Sequence, residues 1–286
     1  MKRKEFLLKT ALGALGLGMT NKSSAKETSD SVDRSAQVGF NHIKEMETKT
    51  LTTVLHKADT RGHANHGWLN SFHTFSFANY YNPERVHFGM LRVLNDDTVA
   101  PGRGFGTHPH DNMEIISIPL SGDLEHKDSM GTKAVIKEGE IQVMSAGTGV
   151  YHSEYNKNSD KEVKFLQIWI FPREQNVKPR YDQMEIAKLL KPNTLSQVLS
   201  PEQDDQGVWI NQDAWFHIGH FDKDVNTSYE LKKPGNGVYA FMLEGSATIA
   251  GQELSARDGL GIRDAENFEV EASADAKILL MEVPMN

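Results

Sequence analysis

Between Thr50 and Phe171 short apolar runs alternate with clusters of turn residues. FGMLRVLN (88–95), MEIISIPL (113–120), AVIKEGEIQVM (134–144) and VKFLQIWIF (163–171) are punctuated by Asn95-Asp96-Asp97, Pro101-Gly102-Arg103-Gly104, Ser121-Gly122-Asp123, Glu138-Gly139, Ala146-Gly147-Thr148-Gly149 and the polar stretch Asn156 to Asp160. Strand-length runs with Gly-rich corners predict a sandwich or barrel, not alternating βαβ units. Tyr181–Leu190 (YDQMEIAKLL) carries the one helical period, with Met184, Ala187, Lys188 and Leu190 making an imperfect face. It predicts a short helix connecting two halves. From about Thr194 the texture returns. GVYAFMLEGSATIAGQEL (237–254) parallels MEIISIPLSGDLEHKDSMG (113–131), and LSARDGLGIRDAENFEV (254–270) parallels IKEGEIQVMSAGTGVYHSE (136–154). The shared order of strand, Gly turn, strand, acidic-Gly turn and strand predicts a duplicated barrel. The fold expected is therefore all-β: two sandwich or jelly-roll barrels packed together, over 49–180 and 181–286, with a short connecting helix.

The chain begins differently. Lys2 to Lys9 (KRKEFLLK) is basic, TALGALGLGMT is weakly apolar, and Ser23-Ser24-Ala25 supplies small residues for cleavage. That order predicts an export signal over 1–25, its apolar run being too short to span a bilayer. Arg3-Lys4-Glu5-Phe6-Leu7-Leu8-Lys9 is similar to a twin-arginine leader with Lys in place of the second arginine, so the twin-arginine and general secretory routes both stay open. The reading is of an exported, periplasmic protein; the alternative is a basic amphipathic helix on a cytoplasmic one. Lys26 to Thr48 is polar without apolar period and reads as a spacer, with at most a short helix near Asn41–Glu47.

Composition narrows the chemistry. The 286 residues carry a net charge of −8. Losing Lys2, Arg3, Lys4, Lys9 and Lys22 with only Glu5 would take that to about −12, so a nucleic-acid partner is not expected. With 38% hydrophobic residues, no membrane association is expected after signal removal. Cysteine is absent, which removes disulfides, thiolate metal sites and Cys nucleophiles together and leaves nitrogen and oxygen as metal donors.

His108-Pro109-His110 places two imidazoles at i and i+2, on one side of a strand, and His152-Ser153-Glu154 repeats the geometry with a carboxylate. A lone His-x-His is as often an exposed loop pair as a ligand pair. Two such pairs, each beside a Gly-rich turn, predict three imidazoles and a carboxylate around one divalent first-row ion with open positions. Glu114, four residues after His110, shares its strand parity and competes with Glu154. The matching stretch of the second half has no His, as expected of a site built in one copy only.

Gly102 to Glu114 reads G-x5-H-x-H-x3-E and Gly139 to Asn156 reads G-x5-S-A-G-T-G-V-Y-H-S-E-Y-N. These resemble the two cupin motifs, with Ser145 where proline is usual. More specifically, His66-Gly67-Trp68-Leu69, SFHTFSFANYYNPE (71–84), GMLRVLNDD (89–97), HPHDNMEIISIPLSGDLEHKDSMG (108–131) and QVMSAGTGVYHSEYN (142–156) resemble a bacterial pirin over roughly 50–175. The second half follows that family in texture only. The resemblance implies a bicupin whose amino-terminal barrel holds one metal, generally iron(II), through His108, His110, His152 and Glu154. Glu114 would then lie behind the ligands, although in other cupins its position supplies one. Manganese, nickel, copper and zinc are the alternatives to iron.

Several pirins are quercetin 2,3-dioxygenases, so the resemblance implies a flavonol-like substrate and O2, with the 3-hydroxyl proton passing to Glu154 or Glu114 as general base. The rival readings are a metal-bearing, redox-sensing interaction protein without catalysis, and a metal-dependent isomerase or hydrolase on the same scaffold. His126 and Asp128 read as turn structure ahead of pocket lining or the orienting of a ligand imidazole. Phe72, His73, Phe75 and Phe77 read as a core strand, Met113 and Met144 as gap-filling core, and Trp209, Trp215, His217 and His220 as packing or inter-barrel contacts.

Overall fold

Residues that alternate in and out along strand-length runs, broken by glycines at positive φ, fold here as a succession of antiparallel pairs. The computed structural model describes residues 51–286. The export signal over 1–25, the spacer over 26–48 and the helix near Asn41–Glu47 lie outside the described residues. The first strands are β1 (Thr52–His56), β2 (Gly62–Asn65), β3 (Leu69–His73), β4 (Leu91–Val99), β5 (Gly104–His110), β6 (Glu114–Ser121), β7 (Asp123–Asp128), β8 (Lys133–Lys137), β9 (Glu140–Ser145), β10 (Val150–Asn156), β11 (Val163–Ile170) and β12 (Arg180–Glu185). The remainder are β13 (Leu195–Ser200), β14 (Val208–Trp209), β15 (Trp215–His220), β16 (Val225–Glu230), β17 (Asn236–Glu244), β18 (Ser246–Ile249), β19 (Gln252–Ser255), β20 (Gly259–Arg263), β21 (Asn267–Ala272) and β22 (Lys277–Pro284).

Four sheets result. The first barrel joins a seven-stranded sheet, β12-β9-β6-β11-β4-β3-β2, to a four-stranded one, β5-β10-β7-β8; the second joins β1-β20-β17-β22-β15-β13-β14 to β16-β21-β18-β19. This is the all-β, two-barrel architecture expected, with two departures. The helix expected at Tyr181–Leu190 is absent: Arg180–Glu185 is β12, pairing antiparallel with β9 (Tyr181 opposite Met144, Gln183 opposite Gln142). The helix-forming Met, Glu, Ala and Leu lose to the hydrogen-bonding edge of β9, and the chain then turns as Ile186 and Ala187 donate to the Gly139 carbonyl. The one helical turn among the described residues is the 3-10 segment Ala58–Thr60. The second departure is an exchange. β1 pairs with β20 and so belongs to the second barrel's sheet, while β12 completes the first barrel's.

The two seven-stranded sheets share an apolar layer. Ile116, Ile118, Leu166, Ile168 and Val143 of the first lie in one buried cluster with Val198, Phe216, Phe241, Leu279 and Met281 of the second. The second barrel is filled by a continuous apolar core that includes Val238, Met242, Ile249, Leu260, Phe268, Val270 and Leu280. The first barrel is filled differently. Its interior apolar residues form two smaller clusters, one around Leu124, Ile136 and Phe165 and one around Ile115, Met144 and Val150. Buried polar side chains (His126, His152, Glu154, Ser117, Gln142 and Gln167) belong to the strands between them. No helix among the described residues is long and apolar enough to cross a membrane.

Candidate metal centre

β5 is an edge strand paired with β10, which places His108 opposite His152 and His110 opposite Val150. Pro109 is tolerated between the two histidines because an edge strand has no ladder bond to lose on its open side. A bulge between His152 and Glu154 sets the carboxylate opposite Phe105. Beside it, a side chain at Gly104 would run into the Glu154–Tyr155 backbone, so glycine lets β5 lie close.

The three imidazoles converge. Ring centroids are 4.4 Å apart for His108 and His152 and 4.9 Å for each of the other two pairs. One nitrogen from each lies within 4.8 Å of the other two. The Nδ1–H of His108 donates to the Gly106 carbonyl (2.8 Å), because a carbonyl can only accept, and this leaves the Nε2 lone pair free. Nε2 of His110 and both ring nitrogens of His152 are buried without a hydrogen-bond partner. Burial, then the neighbouring His108, lowers the His110 pKa to about 4; burial and the surrounding histidines lower that of His152 to about 2. Neutral imidazoles with unpartnered lone pairs are the form that binds a cation, so the donor set fits a divalent transition metal.

Glu154 is buried beneath them. Its Oε1 accepts from Ser117 Oγ (2.9 Å) and its Oε2 from Gln167 Nε2 (2.6 Å). Burial raises its pKa to about 7, against the opposing pull of those two donors. Glu154 forms a second close group with His126 and His152, again with donor atoms within 4.8 Å of one another. Glu114 is elsewhere. The parity linking it to His110 ends at the turn between β5 and β6, where Asn112 has φ 45°. Glu114 shares its strand face with Ile116 and Ile118 of the layer between the barrels, accepting from Ser145 Oγ (2.8 Å) and the Asn211 backbone N–H (3.3 Å), and it belongs to neither group of candidate donors.

His126 and Asp128 are a correction: they are strand, not turn. Both lie on β7, with His126 opposite Glu154 and Asp128 opposite His152, and His126 Nε2 bonds to Asp128 at 3.0 Å. Phe75 is core, whereas Phe77 meets Trp169 edge-to-face at 5.4 Å and Trp169 meets His110 at 4.9 Å, so that aromatic group walls the site. Met144 is buried and Met113 packs beside it. Trp209 is an inter-barrel contact, stacked under the Arg180 guanidinium at 4.4 Å.

Sequence reasoning missed the residues that hold Glu154. Strand register lines up His73, Asn95, Gln167, Ser117, Gln142 and Gln183 side by side across β3, β4, β11, β6, β9 and β12. The signal was present: Ser117 interrupts the otherwise apolar run Ile115–Leu120, and Gln167 the otherwise apolar run Phe165–Ile170. A lone polar residue at an inward position demands a partner.

Residues 54–170 match the family model described as Pirin, and residues 197–283 match that of the quercetinase C-terminal cupin domain. A relative from Escherichia coli K12 named quercetin 2,3-dioxygenase is 44% identical over 230 residues, covering 80% of this chain and 98% of its own. A pirin-like protein of Caulobacter vibrioides is 37% identical, covering 78% of this chain and 96% of its own. The crystal structure of the bacterial pirin YhhW from Escherichia coli in complex with nickel(II) superposes with a TM-score of 0.77 at 42% identity, covering 82% of this chain and 99% of that one. With its two cupin barrels and this level of identity along nearly the whole length of its relatives, the chain belongs to the pirin family.

Proposed function

We propose that this chain is a metal-dependent dioxygenase that opens flavonols of the quercetin type with O2, its ion held by His108, His110, His152 and Glu154. The observation that carries the reading is the convergence of three imidazoles, two of which, His110 and His152, have buried nitrogens without partners. The name of the Escherichia coli relative supports the reaction, and the nickel(II) complex of YhhW supports the ion. A redox-capable divalent ion at this position supplies Lewis acidity toward a substrate hydroxyl and electrons toward O2.

The chain's own residues do the rest. Glu154 receives the proton of the flavonol 3-hydroxyl, and Ser117 and Gln167 fix the carboxylate that takes it. Phe77, Trp169 and Met113 offer apolar faces to a flat ring system. Iron(II) is the ion proposed, ahead of manganese, nickel, copper or zinc. Intrinsic affinity of nitrogen and oxygen sites favours copper and zinc over iron, so controlled loading before export fits a leader of the twin-arginine type, which moves folded proteins. Glu114 is not assigned a part in proton transfer.

The test is O2 uptake and carbon monoxide release over a flavonol panel by protein loaded separately with each ion. Substrate-dependent uptake with a redox-active ion is expected. No uptake by the iron, manganese, nickel or copper form would overturn the dioxygenase, and turnover with zinc would assign hydrolysis or isomerisation instead.

A further inference from the structure

The polar row that fixes Glu154 runs two strands further than that task requires. On β4, Leu94 belongs to the apolar layer between the barrels and Val99 to the floor of the first barrel, so Asn95 and Asp97 face that barrel's interior. The same parity on β3 turns Leu69 to the floor and His73 inward, opposite Asn95. Asn95 in turn stands opposite Gln167, whose amide holds Glu154 at 2.6 Å. β4 passes into β5 through a tight turn in which the Arg103 N–H donates to the Ala100 carbonyl. That turn carries the edge strand of His108 and His110 back across from β3 and β4, with Phe105 against Trp68 at 5.4 Å.

Both additional members are buried and incompletely bonded. His73 is 3% exposed and Asn95 2%, yet His73 Nδ1 and Asn95 Oδ1 have no hydrogen-bond partner. Asp97, the next inward position on β4, is engaged by the Ser71 hydroxyl. Burial, and then His63 and His66, lowers the His73 pKa, so the ring is neutral and offers one N–H and one lone pair. Asn95 likewise carries both an acceptor and donors. Uncharged groups of this kind match a hydroxyl, which also donates and accepts; a carboxylate or an ammonium would leave half of them unmatched. The pair adjoins the candidate centre. His73 meets Phe77 at 5.2 Å, Phe77 meets Trp169 at 5.4 Å, and Trp169 meets His110 at 4.9 Å. The aromatic wall suits the face of a flat ring, and the polar pair beside it suits the ring's edge.

We propose that Asn95 and His73 recognise ring hydroxyls of the substrate other than the one whose proton Glu154 receives, so that they select a polyhydroxylated flavonol over its less hydroxylated parent. The inference rests on the flavonol reading of the preceding section, and the experiment separates the two.

The probes are quercetin and 3-hydroxyflavone, which share the 3-hydroxyl and 4-carbonyl and differ in their ring hydroxyls. Each is titrated under argon into the zinc-loaded full chain, with binding read from flavonol absorbance. The unaltered chain is expected to hold quercetin about 10–100-fold more tightly, and Asn95→Leu and His73→Phe each to cut that preference about tenfold. Equal affinities in the unaltered chain would mean that ordered water alone satisfies the pair, and would overturn the proposal. A preference unchanged in both variants would overturn it too, while the dioxygenase reading, tested separately by O2 uptake, would stand. Should the variants not fold, 15N-histidine labelling of the unaltered zinc-loaded chain decides the matter. The His73 ring nitrogens are expected to shift with quercetin and not with 3-hydroxyflavone, and the same response to both overturns the proposal. Zinc bound with neither flavonol taken up overturns this inference and the flavonol reading together.

Discussion

At the scale of single residues, the two barrels treat their buried histidines differently. In the second barrel the Nδ1 of His217 has a partner. Tyr229 donates its hydroxyl proton to Glu282 (2.9 Å), so the Nδ1–H of His217 is the donor in its 3.3 Å contact with the same hydroxyl oxygen. Glu282 also accepts the Lys232 and Lys233 backbone N–H groups and the Asn236 amide. That network satisfies both carboxylate oxygens of Glu282. It has a cost in acid, because burial, and then Lys232, lowers the His217 pKa to about 4. Above pH 6.5 the ring is neutral folded or unfolded. Between 6.5 and 4 only the unfolded chain takes up the proton, so stability falls as pH falls through that window, by about 3 kcal/mol at its end. In chelator-treated protein, His217→Gln is therefore expected to lose less stability than the unaltered chain between pH 7.5 and 5, measured by urea unfolding midpoints. Equal losses would show that His217 is not buried neutral. The candidate centre was readable at this scale because His-x-His and His-x-Glu put side chains on one strand face whatever the surrounding fold. Glu114 was misplaced because its four-residue spacing from His110 carries parity only if the strand continues, and the turn at Asn112 breaks it.

At the scale of elements, most strands announced themselves through apolar runs bounded by turns: VKFLQIWIF contains β11 (Val163–Ile170), and AVIKEGEIQVM divides into β8 and β9 at Gly139, where φ is 83°. Two elements did not. β12 has a helix-forming composition and is a strand only because β9 offers it an edge, which no local pattern reports. β1 reads as an ordinary first strand, and nothing local says that its partner is β20, more than two hundred residues on. Asp258 is what fastens it. The carboxylate accepts the Ala58 backbone N–H and the Lys57 ammonium, each at 2.8 Å, together with the Ser255 N–H at 2.9 Å. His56 adds a 2.8 Å contact to the buried Tyr239 hydroxyl. Asp258→Ala would leave two backbone donors without their acceptor, which costs about 2–4 kcal/mol. The loosened element should be visible directly: amide hydrogen exchange over residues 52–58 is expected to accelerate in Asp258→Ala, while β10 keeps its protection. Uniform acceleration of both would mean that Asp258 supports the whole chain and not β1.

At the scale of the whole molecule, one barrel is packed solid and the other keeps a polar interior, yet they are not independent bodies. The apolar layer between the seven-stranded sheets draws on both halves, β1 and β12 cross the expected boundary in both senses, and Arg180 of the first sheet stacks on Trp209 of the second. The sequence repeat made two barrels legible but not their sharing of strands, because a repeat records similarity of parts and not the contacts between them. A chain joined this way should gain stability everywhere from an ion bound in one barrel. At a free ion concentration of about 100 Kd, binding to the folded state alone contributes about 2.7 kcal/mol. For a body of this size each kcal/mol moves Tm by roughly 2–4 °C, so nickel(II) is expected to raise the melting temperature by about 5–10 °C. Calorimetry should show one transition with and without the ion, its calorimetric and van't Hoff enthalpies equal. Two transitions, with only one displaced by nickel, would mean that the apolar layer and the exchanged strands do not couple the barrels, and that the second barrel lends the one with the candidate centre no stability.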